Sequence, residues 1–248
     1  MAVHTILKKN EVIEILEKYN IGTLVKYNGI KEGIENTNYF LETTKNKFIL
    51  TIYENRVLKE EIPFYLDLMN FSNKEGINCP TVVNNKVNKN LFDYKNKKCA
   101  IFTFLKGKCL NTWNKENCFN VGNKLAEFHE VNKKFSEVKK NHYGINGWKE
   151  LYVQCEGKMN NIIKNLNEIV ADEINYLEKN WPKNLPSGII HADLFPDNVL
   201  FDKNKISGII DFYFSCYDIF IYDLAISINA WCFDENNFDK DTFSSLIQ

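Results

Sequence analysis

Hydrophobic and polar residues follow helical and strand periods in turn along the first hundred residues. Apolar side chains recur at helical spacing over residues 10–19, with Asn10 placed to cap the helix, and again over residues 57–74. Between these stretches, β-branched and aromatic runs at 24–27, 39–41 and 47–53 predict three strands of an antiparallel sheet. A further buried strand is predicted at 99–105, before the break at residues 106–108.

The second half of the chain reads mainly as helix around a central group of short strands. Helical spacing predicts a helix over 113–131, with Phe119 among its inward residues, and a long amphipathic helix over 151–181. Short apolar runs at 188–190, 199–201 and 206–210 then predict strands, the last two joined by a turn over 202–205. An apolar stretch over 214–233 contains a further helix that begins near Tyr222.

Composition and charge exclude several classes of protein. The 248 residues are 44% hydrophobic with a net charge of −1, which gives no basic field for nucleic acid or an anionic membrane. We find neither a secretory signal nor an apolar run long enough for a membrane span. The seven cysteines are scattered without a C-x-x-C pair, as expected for reduced thiols in a cytoplasmic protein.

Candidate chemistry is concentrated between Gly188 and Phe212, in the stretch GIIHADLFPDNVLFDKNKISGIIDF. A loop between two predicted strands carries His191, Asp193 and Asn198, and Asp211 follows the next hairpin. Asp193 is suited to orient or deprotonate a hydroxyl nucleophile. The oxygens of Asn198 and Asp211 suit Mg²⁺ on the phosphates of a nucleotide. Phosphoryl transfer depends mainly on such positioning and charge neutralisation, so the pattern indicates a kinase.

This order of residues resembles the catalytic and metal-binding loops of the aminoglycoside phosphotransferase-like kinases, distant relatives of the protein kinases. Three segments narrow the resemblance to the bacterial homoserine kinases of that fold: HADLFPDNVLF, IDFYFSCYDIFIYDLAISINAWCF and GIKEGIENTNYFLETTKNKFILTIYE. The resemblance covers nearly the whole chain. It implies an α+β, two-lobed protein-kinase-like fold, with a small antiparallel-sheet lobe over 1–104 and a mostly helical lobe over 105–248.

The resemblance also implies a reaction and its cofactors. ATP and Mg²⁺ are expected between the lobes, and L-homoserine is expected to be phosphorylated on its hydroxyl in threonine biosynthesis. Two alternatives stay open: a sister kinase acting on an aminoglycoside, choline or another alcohol, and a catalytically dead nucleotide-binding module. Oligomeric state is not predicted.

Several residues receive roles through the resemblance. Asp193 is the expected catalytic base, with Asn198 and Asp211 on the metal and His191 and Asp223 supporting the loop. The expected nucleotide contacts are in the glycine-containing loop and at the hinge between the lobes: Gly33, Asn36, Thr37, Asn38, Phe104 and Leu105. The residues expected to line the binding site of the acceptor are Asp218, Asn229, Trp231 and Arg56.

The chain departs from the family pattern in two places. Thr51 stands in the third strand where many relatives carry a lysine or arginine that meets the nucleotide phosphates, so no strand-lysine pair with Glu60 or Glu61 is possible. Arg56, close to that strand, is the only arginine and is a candidate for carboxylate or phosphate binding. The last residues, 244–248, lack a helix stop signal, so a shortened C-terminal lobe is expected.

Overall fold

The computed structural model describes residues 3–33, 35–54, 57–234 and 237–248. Arg56 therefore lies outside the described residues. The N-terminal lobe is a five-stranded antiparallel sheet of order β1-β2-β3-β5-β4, with one helix on each face. Its elements are α1 (Lys9–Leu16), β1 (Leu24–Gly29), β2 (Thr37–Thr43), β3 (Lys47–Ile52), α2 (Ile62–Lys74), β4 (Phe92–Tyr94) and β5 (Lys97–Thr103).

The C-terminal lobe is mostly helical and carries short paired strands. Strand β5 ends beside the predicted lobe boundary at 104/105, and that boundary stays a prediction. The elements are α3 (Lys115–Asn132), α4 (Ile145–Cys155), α5 (Leu166–Asn180), β6 (Ser187–Ile190), β7 (Val199–Asp202), β8 (Lys205–Ile209), β9 (Cys216–Ile219), α6 (Phe220–Trp231), β10 (Phe233–Asp234), β11 (Asn237–Phe238) and α7 (Lys240–Leu246).

Two hydrophobic cores hold these layers. The first joins α1 to one face of the N-terminal sheet, where Leu41, Leu50 and Ile101 are fully buried. The second runs from α2 across the lobe boundary to α3, the β7–β8 hairpin and Trp231. Because this second core is continuous, the sheet that carries β3 is held against the loops that follow β6 and β8.

The predicted α+β fold class is confirmed, but Asn10 does not cap α1, since it lies within that helix and Lys8 is the N-cap. Two further helix boundaries are also wrong. The helix predicted over 57–74 begins at Ile62, because Pro63 is tolerated only near a helix start. The helix predicted over 151–181 is two helices, since Gly157 (φ 77°) and Asn165 (φ 62°) adopt left-handed conformations that end helical geometry. Phe119, predicted to face inward, is 42% exposed on α3.

The strands around the chemical motif form two separate pairs. β7 and β8 form the expected hairpin, whereas β6 pairs with β9, a strand that the apolar pattern over 214–233 did not reveal. The loop over 191–198 follows β6, and Asp211 follows β8. The backbone N–H of Ile210 donates to the carbonyl of Asn198 at 2.9 Å, which ties the two segments together.

Within the described residues, no helix combines the length and the apolar character that crossing a membrane requires.

Candidate active site

The loop that follows β6 places Asp193 and Asn198 in direct contact. The Asn198 side-chain amide nitrogen donates to both the carboxylate Oδ2 and the backbone carbonyl of Asp193, each at 2.8 Å. A short 3₁₀ turn, Pro196–Asn198, brings the two residues together across the loop. Since its nitrogen is committed to Asp193, Asn198 has its amide oxygen left to face a cation.

Both acidic residues of the site have raised pKa values. Burial, reinforced by the charge of Asp211, raises the pKa of Asp193 to about 7. The pKa of Asp211 is raised to about 6, first by the loss of water around it and then by the charge of Glu35. The Asp211 side chain is open to the cleft, but the protein around it still displaces much of its hydration. Concentrated negative charge of this kind favours a bound cation.

His191 and Asp223 lie beneath the loop and hold its backbone. Asp223 is fully buried and accepts hydrogen bonds from the N–H groups of His191 and Ala192, at 2.8 and 2.9 Å. His129 Nε2 approaches the same carboxylate at 2.8 Å. Burial lowers the pKa of His191 to about 4, so the ring is neutral, and its Nε2 faces the carbonyl of Ile210 at 3.2 Å. Ala192 has φ 61°, and the bonds to Asp223 fix this left-handed turn.

A cavity of about 350 Å³ between the lobes gathers most of the predicted nucleotide contacts. Its apolar walls come from both lobes, with Ile49 from β3 and Leu200 from β7. Gly107 (φ 149°) lies against β7 and β8, where an added Cβ would come within 2.2 Å of the Ser207 hydroxyl oxygen. The predicted site residues that line this cavity are Gly33, Asn38, Phe104, Leu105, Asn198 and Asp211.

Asn36 and Thr37 do not present side chains to this cavity. Alternate residues of a strand face opposite sides, so Thr37 of β2 points away when Asn38 points in. The Thr37 hydroxyl instead bonds Glu54 at 2.7 Å and accepts from the backbone of Thr5. Asn36 is 5% exposed and accepts from the Glu54 N–H. The nucleotide contacts expected of these two residues are to be made by the backbone N–H groups of the loop, and they stay a prediction.

A chain of uncharged polar groups occupies the place where the family pattern expects a lysine pair. Thr51 donates to the side-chain oxygen of Asn38 at 2.7 Å, and the Tyr213 hydroxyl bonds the Thr51 side chain. The hydroxyls of Tyr53 and Tyr213 lie 3.1 Å apart. Tyr213 stands two residues after Asp211, so this chain connects β3 with the predicted metal-binding segment.

We expect Tyr213→Phe to lower the free energy of unfolding by about 1–3 kcal/mol, because the buried Tyr53 hydroxyl would lose its partner. Urea unfolding measures this change. Tyr176→Phe is the control, since that ring is 61% exposed. Equal unfolding midpoints for the two variants would contradict the role of the hydroxyl chain.

The residues expected to line the binding site of the acceptor are dispersed. Asp218 accepts from the Asn141 side chain at 2.7 Å and lines a different cavity, beside β6 and β9. Asn229 is exposed on α6, on the side opposite the buried Asp223. Trp231 is 0% exposed and donates to the carbonyl of Leu194 at 2.7 Å, so it supports the loop from below. The structure does not bring these three residues together with Asp193.

Three further residues contribute to the site. Asp197 lines the cavity, and its charge raises the pKa of both Asp193 and Asp211. Glu35 acts on the same two carboxyls from the N-terminal lobe. Tyr213 lines the cavity beside Asp211. Asp197 and Tyr213 adjoin motif residues in sequence, and Glu35 belongs to the predicted nucleotide loop, although its effect on the two carboxyls is visible only in the structure.

The donor set fits a hard cation with few protein ligands. Among the described residues, no three His, Cys, Asp or Glu side chains are grouped closely enough to hold a metal. Mg²⁺ in kinases typically takes one or two protein oxygens and completes its shell with water and phosphate. Asn198 and Asp211 supply such oxygens on one wall of the cavity.

Most of the chain matches one family of known proteins. Residues 26–244 match the model of the phosphotransferase enzyme family, so the chain belongs to that family. The match spans both lobes and includes every motif described above except the N-terminal helix.

Within that family, the chain is similar to homoserine kinases and belongs with them. It is 41% identical to homoserine kinase of Sinorhizobium fredii over 95% of this chain and 72% of that protein. It is 42% identical to the enzyme of Bartonella henselae, over 96% and 74% of the two chains. The Methylobacterium radiotolerans enzyme is 40% identical over all of this chain and 77% of its own length. The family expected from the motifs is confirmed.

Solved structures show the same fold at low sequence identity. Amicoumacin kinase superposes with a TM-score of 0.78 at 14% identity, covering 97% of this chain and 76% of that one. Spectinomycin phosphotransferase gives 0.72 at 15% identity, covering 98% and 80%. These two similarities concern the kinase-like fold alone.

Proposed function

We propose that this protein transfers the γ-phosphoryl group of ATP to the hydroxyl of L-homoserine and forms O-phospho-L-homoserine. A bond forms between the acceptor oxygen and the γ-phosphorus. The bond from that phosphorus to the β–γ bridging oxygen breaks, and ADP leaves with the electron pair. The acceptor proton passes to the carboxylate of Asp193.

The main observation that supports this proposal is that residues from separate parts of the chain line one cavity. The hinge, the glycine loop, Asn198 and Asp211 come from four separate parts of the chain and line one cavity. Asp193 lies beside that cavity, fixed by Asn198. A polar loop that binds no ligand would not need this arrangement. The homoserine kinase relatives, at 40–42% identity, support L-homoserine as the acceptor.

The cavity suits adenine at the hinge. Among the described residues, the Leu105 N–H has no hydrogen-bond partner, so it is available to the base. Ile49 above and Leu200 and Ile210 below give apolar faces on which a planar ring can pack. The related fold of amicoumacin kinase was solved in complex with AMP-PNP and Ca²⁺, which supports a nucleotide and a divalent cation here as well.

Asn198 and Asp211 are the residues that would hold Mg²⁺. When bound, the cation neutralises charge on the phosphates and on the product nucleotide. Asp193 contributes through its position: the Asn198 amide orients one carboxylate oxygen, and the other oxygen is left to accept the proton of an acceptor hydroxyl. His191 and Asp223 act on the backbone of the loop and do not need to touch the acceptor.

We expect ATP-dependent ADP release with L-homoserine, much less with L-serine or L-threonine, and none above background with choline or kanamycin. Each polar contact that a wrong acceptor leaves unmade should cost about 1–3 kcal/mol. A coupled ADP-release assay with equal concentrations of the five acceptors measures this order.

Two outcomes would overturn parts of the proposal. Faster turnover of choline or kanamycin than of L-homoserine would replace the acceptor and leave the kinase activity standing. ATP binding in a thermal-shift experiment, without ADP release for any acceptor, would favour a catalytically dead nucleotide-binding module.

A further inference from the structure

A second, smaller cavity of about 120 Å³ lies beside the proposed nucleotide cleft. It is enclosed by the start of α2, the loop over 139–143 and the residues that follow Asp211. Tyr213 lines both cavities, so the small one opens next to the segment that carries Asp211. Its volume is well below the roughly 300–1,000 Å³ of pockets for drug-sized ligands. Only a small molecule fits.

The wall of this cavity includes a lysine in an unusual state. The Lys139 side chain is only 11% exposed, and its ammonium lies 3.4 Å from Glu61 and 5.3 Å from the centre of the Tyr65 ring. To the residues that the structure describes, this ammonium donates no well-directed hydrogen bond. A nearly buried ammonium with three donors is costly unless it is paired and hydrogen-bonded. Lys139 therefore has unused capacity to bind an anion in the cavity.

Glu61 is already committed to several partners and fixes the cavity wall. Its carboxylate accepts from the Tyr65 hydroxyl at 2.9 Å and lies 2.7 Å from His142 Nε2. The backbone carbonyl of Lys139 accepts from the Tyr217 N–H at 2.7 Å, which holds the loop from the other side. The ion pair with Glu61 and the backbone hydrogen bond to Tyr217 therefore hold Lys139 in place.

The opposite charge comes from Glu35, which also lines this cavity. Its negative charge raises the pKa of both Asp193 and Asp211, so its field extends to the proposed reaction centre. A cavity with a held cation on one wall and a carboxylate on another is complementary to a zwitterion.

We propose that this cavity binds the amino-acid end of the acceptor, with Lys139 on the α-carboxylate and Glu35 attracting the α-ammonium. The hydroxyl of the short side chain is then directed past Tyr213 toward Asp193. This assignment rests on the proposed homoserine kinase activity and adds the residues that select an α-amino acid. The cavity excludes an aminoglycoside by its size, independently of charge.

Acceptor analogues paired with variants test the proposal. L-Homoserine without its carboxylate is 3-aminopropan-1-ol, and without its amine it is 4-hydroxybutanoate. We expect Lys139→Met to lower kcat/KM for L-homoserine and 4-hydroxybutanoate by about 10- to 100-fold and to change 3-aminopropan-1-ol little, as for one lost charged hydrogen bond. Glu35→Gln should show the reverse selectivity: kcat/KM should fall more for L-homoserine and 3-aminopropan-1-ol than for 4-hydroxybutanoate.

Lys134→Met is the matched control. Like Lys139, Lys134 pairs with a glutamate: its ammonium lies 3.4 Å from the carboxylate of Glu75, which follows α2. The Lys134 side chain, however, is 71% exposed and does not line the cavity. It should change none of the three acceptors. Equal losses for all three acceptors in Lys139→Met would mean that the lysine only joins the lobes, which overturns the assignment. A wild-type enzyme inactive on L-homoserine would instead refute the proposed function itself.

Discussion

Replacing Asp193 with asparagine should lower kcat by about 10²- to 10⁴-fold, the usual range for a positioned proton acceptor, while ATP affinity stays nearly unchanged. The physical reason is that the amide keeps the shape of the side chain but cannot take the acceptor proton. Steady-state kinetics with L-homoserine and ATP titration of the same preparation measure both quantities. A kcat like that of the wild type would remove Asp193 from the mechanism.

The same variant has an opposite effect on stability, which separates loss of chemistry from loss of fold. The pKa of Asp193 is about 7 in the native protein, against about 3.9 for an unfolded aspartate. The native state therefore binds this proton more tightly, and ionisation costs native stability as pH rises through this window. Asn does not ionise, so the ligand-free Asp193→Asn protein should gain melting temperature over the wild type, more at pH 8 than at pH 5. A lower melting temperature at pH 8 would mean structural damage.

Removing the Asp211 carboxylate should abolish the tightening of ATP binding by Mg²⁺. In the wild type we expect tightening of about 5- to 150-fold, the usual size of coupling between two ligands. The physical reason is that Asp211 lines the same cavity as Asn198. Burial and neighbouring negative charge raise its pKa, and a bound cation would offset that negative charge. Calorimetric titration of ATP into Asp211→Ala, with and without Mg²⁺, measures the coupling.

Two controls make this result specific. Asp202→Ala removes a carboxylate from the exposed turn of the neighbouring hairpin and should leave the coupling intact. Asp211→Asn is the control for backbone strain. Asp211 has φ 65°, and asparagine tolerates that conformation better than alanine, so this variant removes the charge without straining the backbone. Loss of coupling in the Asp202 variant as well would point to general unfolding.

The hydrogen bonds of this site explain why the structure brings some of the predicted residues together and separates others. Asp193 and Asn198 lie five residues apart in one loop, so local chain geometry nearly fixes their contact. Asp218 and Trp231 follow the motif closely in sequence, yet one anchors Asn141 and the other is buried beneath Leu194. Proximity in sequence beyond one loop does not determine which face of an element a side chain occupies.

The alternation of side chains along β2 decides which residues of the predicted nucleotide loop face the cavity. Asn36, Thr37 and Asn38 are equivalent as small polar residues in the sequence, but only Asn38 lines the cavity. The register of β2 against β3, with Asn38 opposite Thr51, sets that outcome. A shift of one residue would exchange the two faces.

The sequence by itself determined the order of the main elements and, through the family resemblance of its motifs, the fold class. Periodicity and local turn chemistry depend on neighbours a few residues apart, and those are readable along the chain. Only the tertiary structure decided that Tyr213 lies in the same cavity as Thr51, which stands in place of a strand lysine, and that Lys139 and Glu35 line one small cavity. These residues are separated by 100 residues or more, and their charges interact only after the second hydrophobic core has joined the lobes.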